Sequence, residues 1–234
     1  LFDAGNNISN LFAIMLLPMF ASLLKNREEL GKLVKTSFNV IVAMAGIVLV
    51  MCVCYRQEIM LMMYHPEEAE TEVAYLTRIS QYAKVFPLLM GSFFCLSTTY
   101  VFGTLLTANG SLKQLNLVAA AGVVINILLN LLVIPRYHSF GAACTSLCVQ
   151  FITALAQYLI SEKMFRLRLG VGYWAHIILF MGCVVLCTWL VKMMVPSIIA
   201  SFAIGFCLNV GLIFITRLLR IKEIINMMLP LEKR

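Results

Sequence analysis

The sequence predicts an all-α fold: a polytopic transmembrane bundle of about seven helical spans. Three observations carry that prediction. The 234-residue chain is 62% hydrophobic and 12% charged, against about 45–50% apolar and about 25% charged for a soluble domain. Its mean hydropathy is +0.93. Its apolar stretches, such as FNVIVAMAGIVLVMCVCY at 38–55, run without polar alternation. A helix needs about 20 apolar residues to cross a hydrocarbon core of about 30 Å, whereas a barrel strand needs about 10 in alternation. Continuous runs of this length exclude the barrel, and the composition excludes a soluble enzyme, a secreted disulfide scaffold and a disordered chain.

Taken in order, the spans are 4–24, 36–55, 85–107, 115–134, 141–160, 173–191 and 197–216. The first is the weakest, because Asn6, Asn7, Ser9 and Asn10 interrupt it. Between the second and third, Pro66 followed by Glu67, Glu68 and Glu70 predicts a helix start, with the acids against the positive end of the helix dipole. Val73, Leu76, Ile79 and Tyr82 then carry that helix toward the third span. The acidic cluster is thus expected to cap a helix rather than to act as a catalytic carboxylate pair.

Lys and Arg set the orientation, since acids contribute little. One side collects thirteen basic residues: 25, 27, 32 and 35, then 113, then 163, 166 and 168, and finally 217, 220, 222, 233 and 234. The other holds five: Arg56, Arg78, Lys84, Arg136 and Lys192. This puts the C-terminus in the cytoplasm and, with seven spans, the N-terminus outside. The net charge of +7 then reflects topology and attraction to anionic lipid, with no nucleic-acid partner. The chain opens on Leu1 without a signal peptide or basic leader. An odd span count with an external N-terminus is hard to insert alone, so the sequence is expected to be the C-terminal piece of a longer chain.

The chemistry-bearing residues are sparse. All eight cysteines fall inside predicted spans, where Cys packs as a small apolar residue. His65, His138 and His176 lack metal-ligand spacing, and no GxSxG, Walker or GxGxxG motif occurs, so no cofactor and no enzyme activity is expected. Polar residues inside spans are costly and are functional candidates by default. Asp3, Asn6 or Asn7, and Asn10 recur at helical spacing, giving one polar stripe that faces protein or a water-filled cavity. Asn126 and Asn130 form a second pair, four apart. Thr98, Thr99, Tyr100, Thr104 and Thr107 add hydroxyls to the third span. Two roles apply to such groups: hydrogen bonding between helices and lining a substrate cavity.

The most recognisable stretch is 100–146, YVFGTLLTANGSLKQLNLVAAAGVVINILLNLLVIPRYHSFGAACTS. Its GTLLTANG with Lys113, the N-x₃-LN at Asn126 to Asn130, the Ile134-Pro135 pair and the GAA at 141–143 resemble the C-terminal region of bacterial polysaccharide-biosynthesis flippases. These are the Wzx-like members of the multidrug/oligosaccharidyl-lipid/polysaccharide exporter superfamily. PMFASL at 18–23, with the basic loop after it, is similar to the end of that family's eighth helix. The resemblance covers 1–234 as helices eight to fourteen of fourteen, with 100–234 as the C-terminal-like region. It implies one lobe of a two-lobed, multidrug-exporter-like transporter in the bacterial inner membrane. The cargo it implies is undecaprenyl-pyrophosphate-linked oligosaccharide, moved from the cytoplasmic to the periplasmic leaflet by alternating access. The stripe Asp3, Asn6, Asn7, Asn10 and the pair Asn126/Asn130 are then candidates to meet the sugar. Cations for the pyrophosphate are expected in the missing N-terminal half, because the first span holds no Arg or Lys. A cation-coupled drug exporter of the same superfamily and a membrane-embedded glycan polymerase or glycosyltransferase remain as alternative readings.

Overall fold

A computed structural model describes residues 2–219 except 69, 168 and 217, with side chains described from Ala13 onward. Seven helical stretches follow one another: α1 (Phe2–Leu23), α2 (Arg27–Cys54), α3 (Arg56–Met63), α4 (Glu72–Ala108), α5 (Leu112–Phe165), α6 (Val171–Met194) and α7 (Ile198–Ile215). No strand occurs among the described residues. Five of these helices, α2, α4, α5, α6 and α7, are long and apolar enough to cross a membrane.

Local chemistry explains where the helices stop and start. Asn26 caps α2, its side chain accepting from the Glu29 N–H, with Glu28 and Glu29 in the positive first turn. At the end of α4, Gly110 takes φ 72°. The Gly110 N–H bonds to the Thr107 carbonyl and the Ser111 N–H to that of Leu106. This is the glycine-terminated helix stop in which a left-handed residue lets the chain reverse without a Cβ clash. The TANG of the recognisable stretch therefore encodes the α4–α5 turn.

α5 spans 54 residues, and a straight helix of that length would reach about 80 Å. It is not straight. His138 has φ 48° and ψ −129°, outside the helical region, and two close approaches show that the chain folds back there. A Cβ placed on Gly141 would lie 2.9 Å from the Val133 carbonyl oxygen, and one on Gly122 would lie 3.3 Å from Thr153 Oγ1. Both pairs are centred near residue 137, so α5 is two antiparallel limbs, 112–137 and 139–165.

α2 and α4 form the centre of the bundle. α4 packs against α1, α2, α3 and α5, while the α6–α7 hairpin lies on α2. Phe20, Val34, Ala43, Phe102 and Leu105 are fully shielded. Lipid is as apolar as leucine, so close approach and van der Waals contact hold such helices together. Gly91 and Gly103 of α4 meet Leu147 and Gln157 of the second α5 limb in parallel register, and Gly46 of α2 meets Met181 of α6. The first α5 limb is different: its apolar window has no buried residue.

The expected helix start at Pro66 is a correction. α4 begins at Glu72 with Thr71 as its cap, the Thr71 hydroxyl accepting from the Ala74 N–H. The Pro66–Glu70 acids lie outside the helix because Arg78 recruits two of them. Its guanidinium binds Glu70 through Nε at 2.9 Å and Nη2 at 2.6 Å, with Glu67 at 3.8 Å. The short helix α3 was not foreseen.

Candidate functional site

The side chains of Asp3, Asn6, Asn7 and Asn10 lie outside the described residues; their backbone belongs to α1, which packs on α4 and α2. Asn126 and Asn130 sit on the first α5 limb, half-buried, and meet each other. Asn130 Nδ2 donates to Asn126 Oδ1 at 2.8 Å, and Asn130 Oδ1 is shielded without a partner. Neither bonds to another helix among the described residues. The third-span hydroxyls also turn inward on their own helix. Thr98, Thr99 and Thr107 donate to the carbonyls of Cys95, Leu96 and Gly103, the local back-bonding open to Thr inside helices.

Polar contacts between helices occur elsewhere. Asn209 of α7, fully buried, donates to Thr188 Oγ1 of α6 at 2.8 Å, and the same amide lies 3.6 Å from Met51 Sδ of α2. Nearer the α2–α3 junction, Lys192 binds Glu58 at 2.7 Å and the Cys54 carbonyl at 2.6 Å, and its ammonium stands 5.0 Å from the Tyr55 ring centre. The Tyr55 hydroxyl pairs with that of Ser201. Four helices, α2, α3, α6 and α7, are thereby pinned together at one end. At the opposite end an aromatic cluster joins α2, α4, α5 and α6: Phe38, Phe102, Tyr158 and Trp174 stack with ring centres 5.2–5.9 Å apart. The Tyr173 hydroxyl donates to Asn39 there, and Asn39 in turn donates to the Leu218 carbonyl.

A cavity of about 790 Å³ opens at the Tyr55 end between α3, residues 81–90 of α4 and the α5 reversal. Met60, Phe86 and Met90 make its floor; Gln81, Lys84 and His138 stand at its edge. A second cavity of about 560 Å³ is bounded by the aromatic cluster and is almost wholly apolar. The eight cysteines are free thiols on five helices, and no three metal-ligating side chains converge among the described residues.

No family model and no curated protein matches the chain.

Sequence reasoning passed over Asn209 and the 790 Å³ cavity. Asn209 carried a usable signal, as the single strongly polar residue in an otherwise apolar span. The cavity did not, because it assembles from three segments far apart in sequence.

Proposed function

We propose that this protein is a membrane transporter lobe that moves a polyprenyl-pyrophosphate-linked oligosaccharide from the cytoplasmic to the outer leaflet by alternating access. The observation that carries the reading is the correspondence between the flippase-like stretch and the α4–α5 hairpin system. Gly110 supplies the left-handed helix stop, Pro135 and His138 lie at the reversal, and Gly141 permits its close approach. On this reading each α5 limb and α1 count as passes beside α2, α4, α6 and α7, seven in all. With the thirteen-to-five split of basic residues, the α4–α5 turn lies on the cytoplasmic side and the α5 reversal on the outer side. The unburied first limb of α5, bearing Asn126 and Asn130, is a surface that a second lobe covers.

Such a transporter must replace the water around a sugar headgroup with protein hydrogen bonds during the crossing. On this reading the α1 stripe of Asp3, Asn6, Asn7 and Asn10 takes that role. The test is to replace Asn6 and Asn10 together by Leu in the intact protein in its bacterial host. Loss of surface polysaccharide with normal membrane abundance is expected, with lipid-linked oligosaccharide accumulating in the cell. Unchanged polysaccharide refutes the α1 cavity, and unchanged polysaccharide on deleting the whole gene refutes the transport reading.

A further inference from the structure

α4 has 37 residues and is about 55 Å long, far more than a hydrocarbon core of about 30 Å requires. Its apolar part, 85–107, leads into the Gly110 stop, so the preceding turns, 72–84, project past the hydrocarbon at the Tyr55 end. The 790 Å³ cavity therefore sits at the membrane boundary, with its apolar floor on the membrane side of Lys84. Tyr64 and Tyr82, with ring centres 5.0 Å apart, border it at the level where tyrosines favour the interface.

The polar groups at its edge are unspent. Among the described residues Gln81, Lys84 and His138 make no side-chain hydrogen bond or ion pair, and the nearby acids Glu67 and Glu70 are already held by Arg78. Among the described residues no acid lines the cavity, and Lys84 is the one charged lining residue. His138 is kept at the mouth by a backbone conformation, φ 48° and ψ −129°, that costs a non-glycine residue about 1–3 kcal/mol.

We propose that this cavity binds an anionic glycerophospholipid of the surrounding bilayer. The Lys84 ammonium, the Gln81 amide and the His138 imidazole donate to the phosphate, and an acyl chain lies over Met60, Phe86 and Met90. The apolar floor selects a lipid over a free anion. The single fixed cation matches the one charge of a phosphodiester, rather than the two or more of a phosphomonoester or pyrophosphate. This inference needs only the long apolar helices to lie in a membrane and is independent of the transport reading.

The test is lipid retention by native mass spectrometry of the full chain released from nanodiscs. Three nanodisc compositions are compared: phosphatidylcholine alone, with phosphatidylglycerol, and with polyprenyl phosphate. A cation near the headgroup contributes about 1 kcal/mol, so Lys84→Gln should lower retention of phosphatidylglycerol about fivefold. Lys84→Arg should keep it. Arg136→Gln, beside the reversal but outside the cavity lining, should leave it unchanged. Lys84 is exposed and unpartnered among the described residues, so its replacement does not threaten the fold. Equal retention of phosphatidylglycerol and phosphatidylcholine, preference for polyprenyl phosphate, or an equal loss in Arg136→Gln would each overturn the proposal.

Discussion

Gly141→Ala tests the α5 hairpin directly. A methyl at this buried position would lie 2.9 Å from the Val133 carbonyl oxygen, 2.9 Å from Val133 Cγ1 and 3.1 Å from Tyr137 Cβ. Two of these neighbours are backbone or Cβ atoms, which cannot swing aside. Reaching a comfortable separation of about 3.5 Å requires the limbs to part by roughly 0.6 Å. Overpacking of this kind costs about 1–3 kcal/mol. Alanine also gains about 0.8–1 kcal/mol of helix propensity over glycine, which partly masks the clash. Gly182→Ala in α6 supplies the reference, because nothing lies within 4 Å of its added methyl and propensity acts alone there. Subtracting one variant from the other cancels propensity and leaves the packing cost. For a chain of this size about 1–3 kcal/mol corresponds to a gap of roughly 2–12 °C between the two melting temperatures. Thermal unfolding of the detergent-solubilised protein, followed by far-ultraviolet circular dichroism, measures it. Gly122→Ala, whose methyl would meet Thr153 Oγ1 at 3.3 Å, should fall between them. Equal melting of Gly141→Ala and Gly182→Ala would refute the tight reversal, and with it the two-limb description of α5.

Two further outcomes follow from the polar contacts. In a double-mutant cycle, Asn209→Leu and Thr188→Val should show a coupling of about 0.6–1.7 kcal/mol, the range of interhelical hydrogen bonds in membrane proteins; strict additivity would show that the 2.8 Å contact contributes nothing. The hydrogen bonds from Arg78 hold the Glu70 carboxyl below its ordinary value. The stability it confers is therefore present above about pH 4.3, the ordinary glutamate value, and is lost as pH falls through the lower folded value. Hydrogen exchange of the 64–71 segment should stay slow down to about that pH and quicken below it, after allowance for intrinsic exchange. Glu70→Gln should exchange fast throughout, and an unaltered pH profile in that variant would remove the Arg78 clasp.

The helical class was legible because hydrocarbon imposes one rule on the whole chain: a backbone without water must satisfy itself, and helices do so. Span edges were less legible. Glu72 starts α4 although Pro66 and its acids form the better written signal, since the Arg78 fork offers Glu70 two charge-assisted bonds. That competitor, eight residues downstream, is invisible to a local capping rule. The α5 reversal was legible as two apolar runs, 115–134 and 141–160, yet the residue that turns, His138, is neither glycine nor proline and gave no turn signal. Asn126 and Asn130 were correctly placed on one face, but spacing alone does not tell whether neighbours four apart will bond each other or another helix.

The fate of the polar groups narrows where a hydrated path through this bundle would run. Thr98, Thr99 and Thr107 return their hydroxyl protons to their own helix, and Asn130 donates to Asn126 on the same limb. Asn209 and Thr188 are locked together against Met51. The free donors Gln81, Lys84 and His138 stand at the bundle's end, and the 560 Å³ cavity beside the aromatic cluster is lined almost wholly by apolar side chains. A sugar crossing among α2, α6 and α7 would have to break the Asn209–Thr188 bond that joins α7 to α6. On the transport reading proposed above, the crossing is assigned to α1, which packs on α4 and α2. The Asn6 and Asn10 double replacement tests that assignment. Its effect should exceed that of Asn126→Leu with Asn130→Leu, which removes a hydrogen bond already closed within one helix.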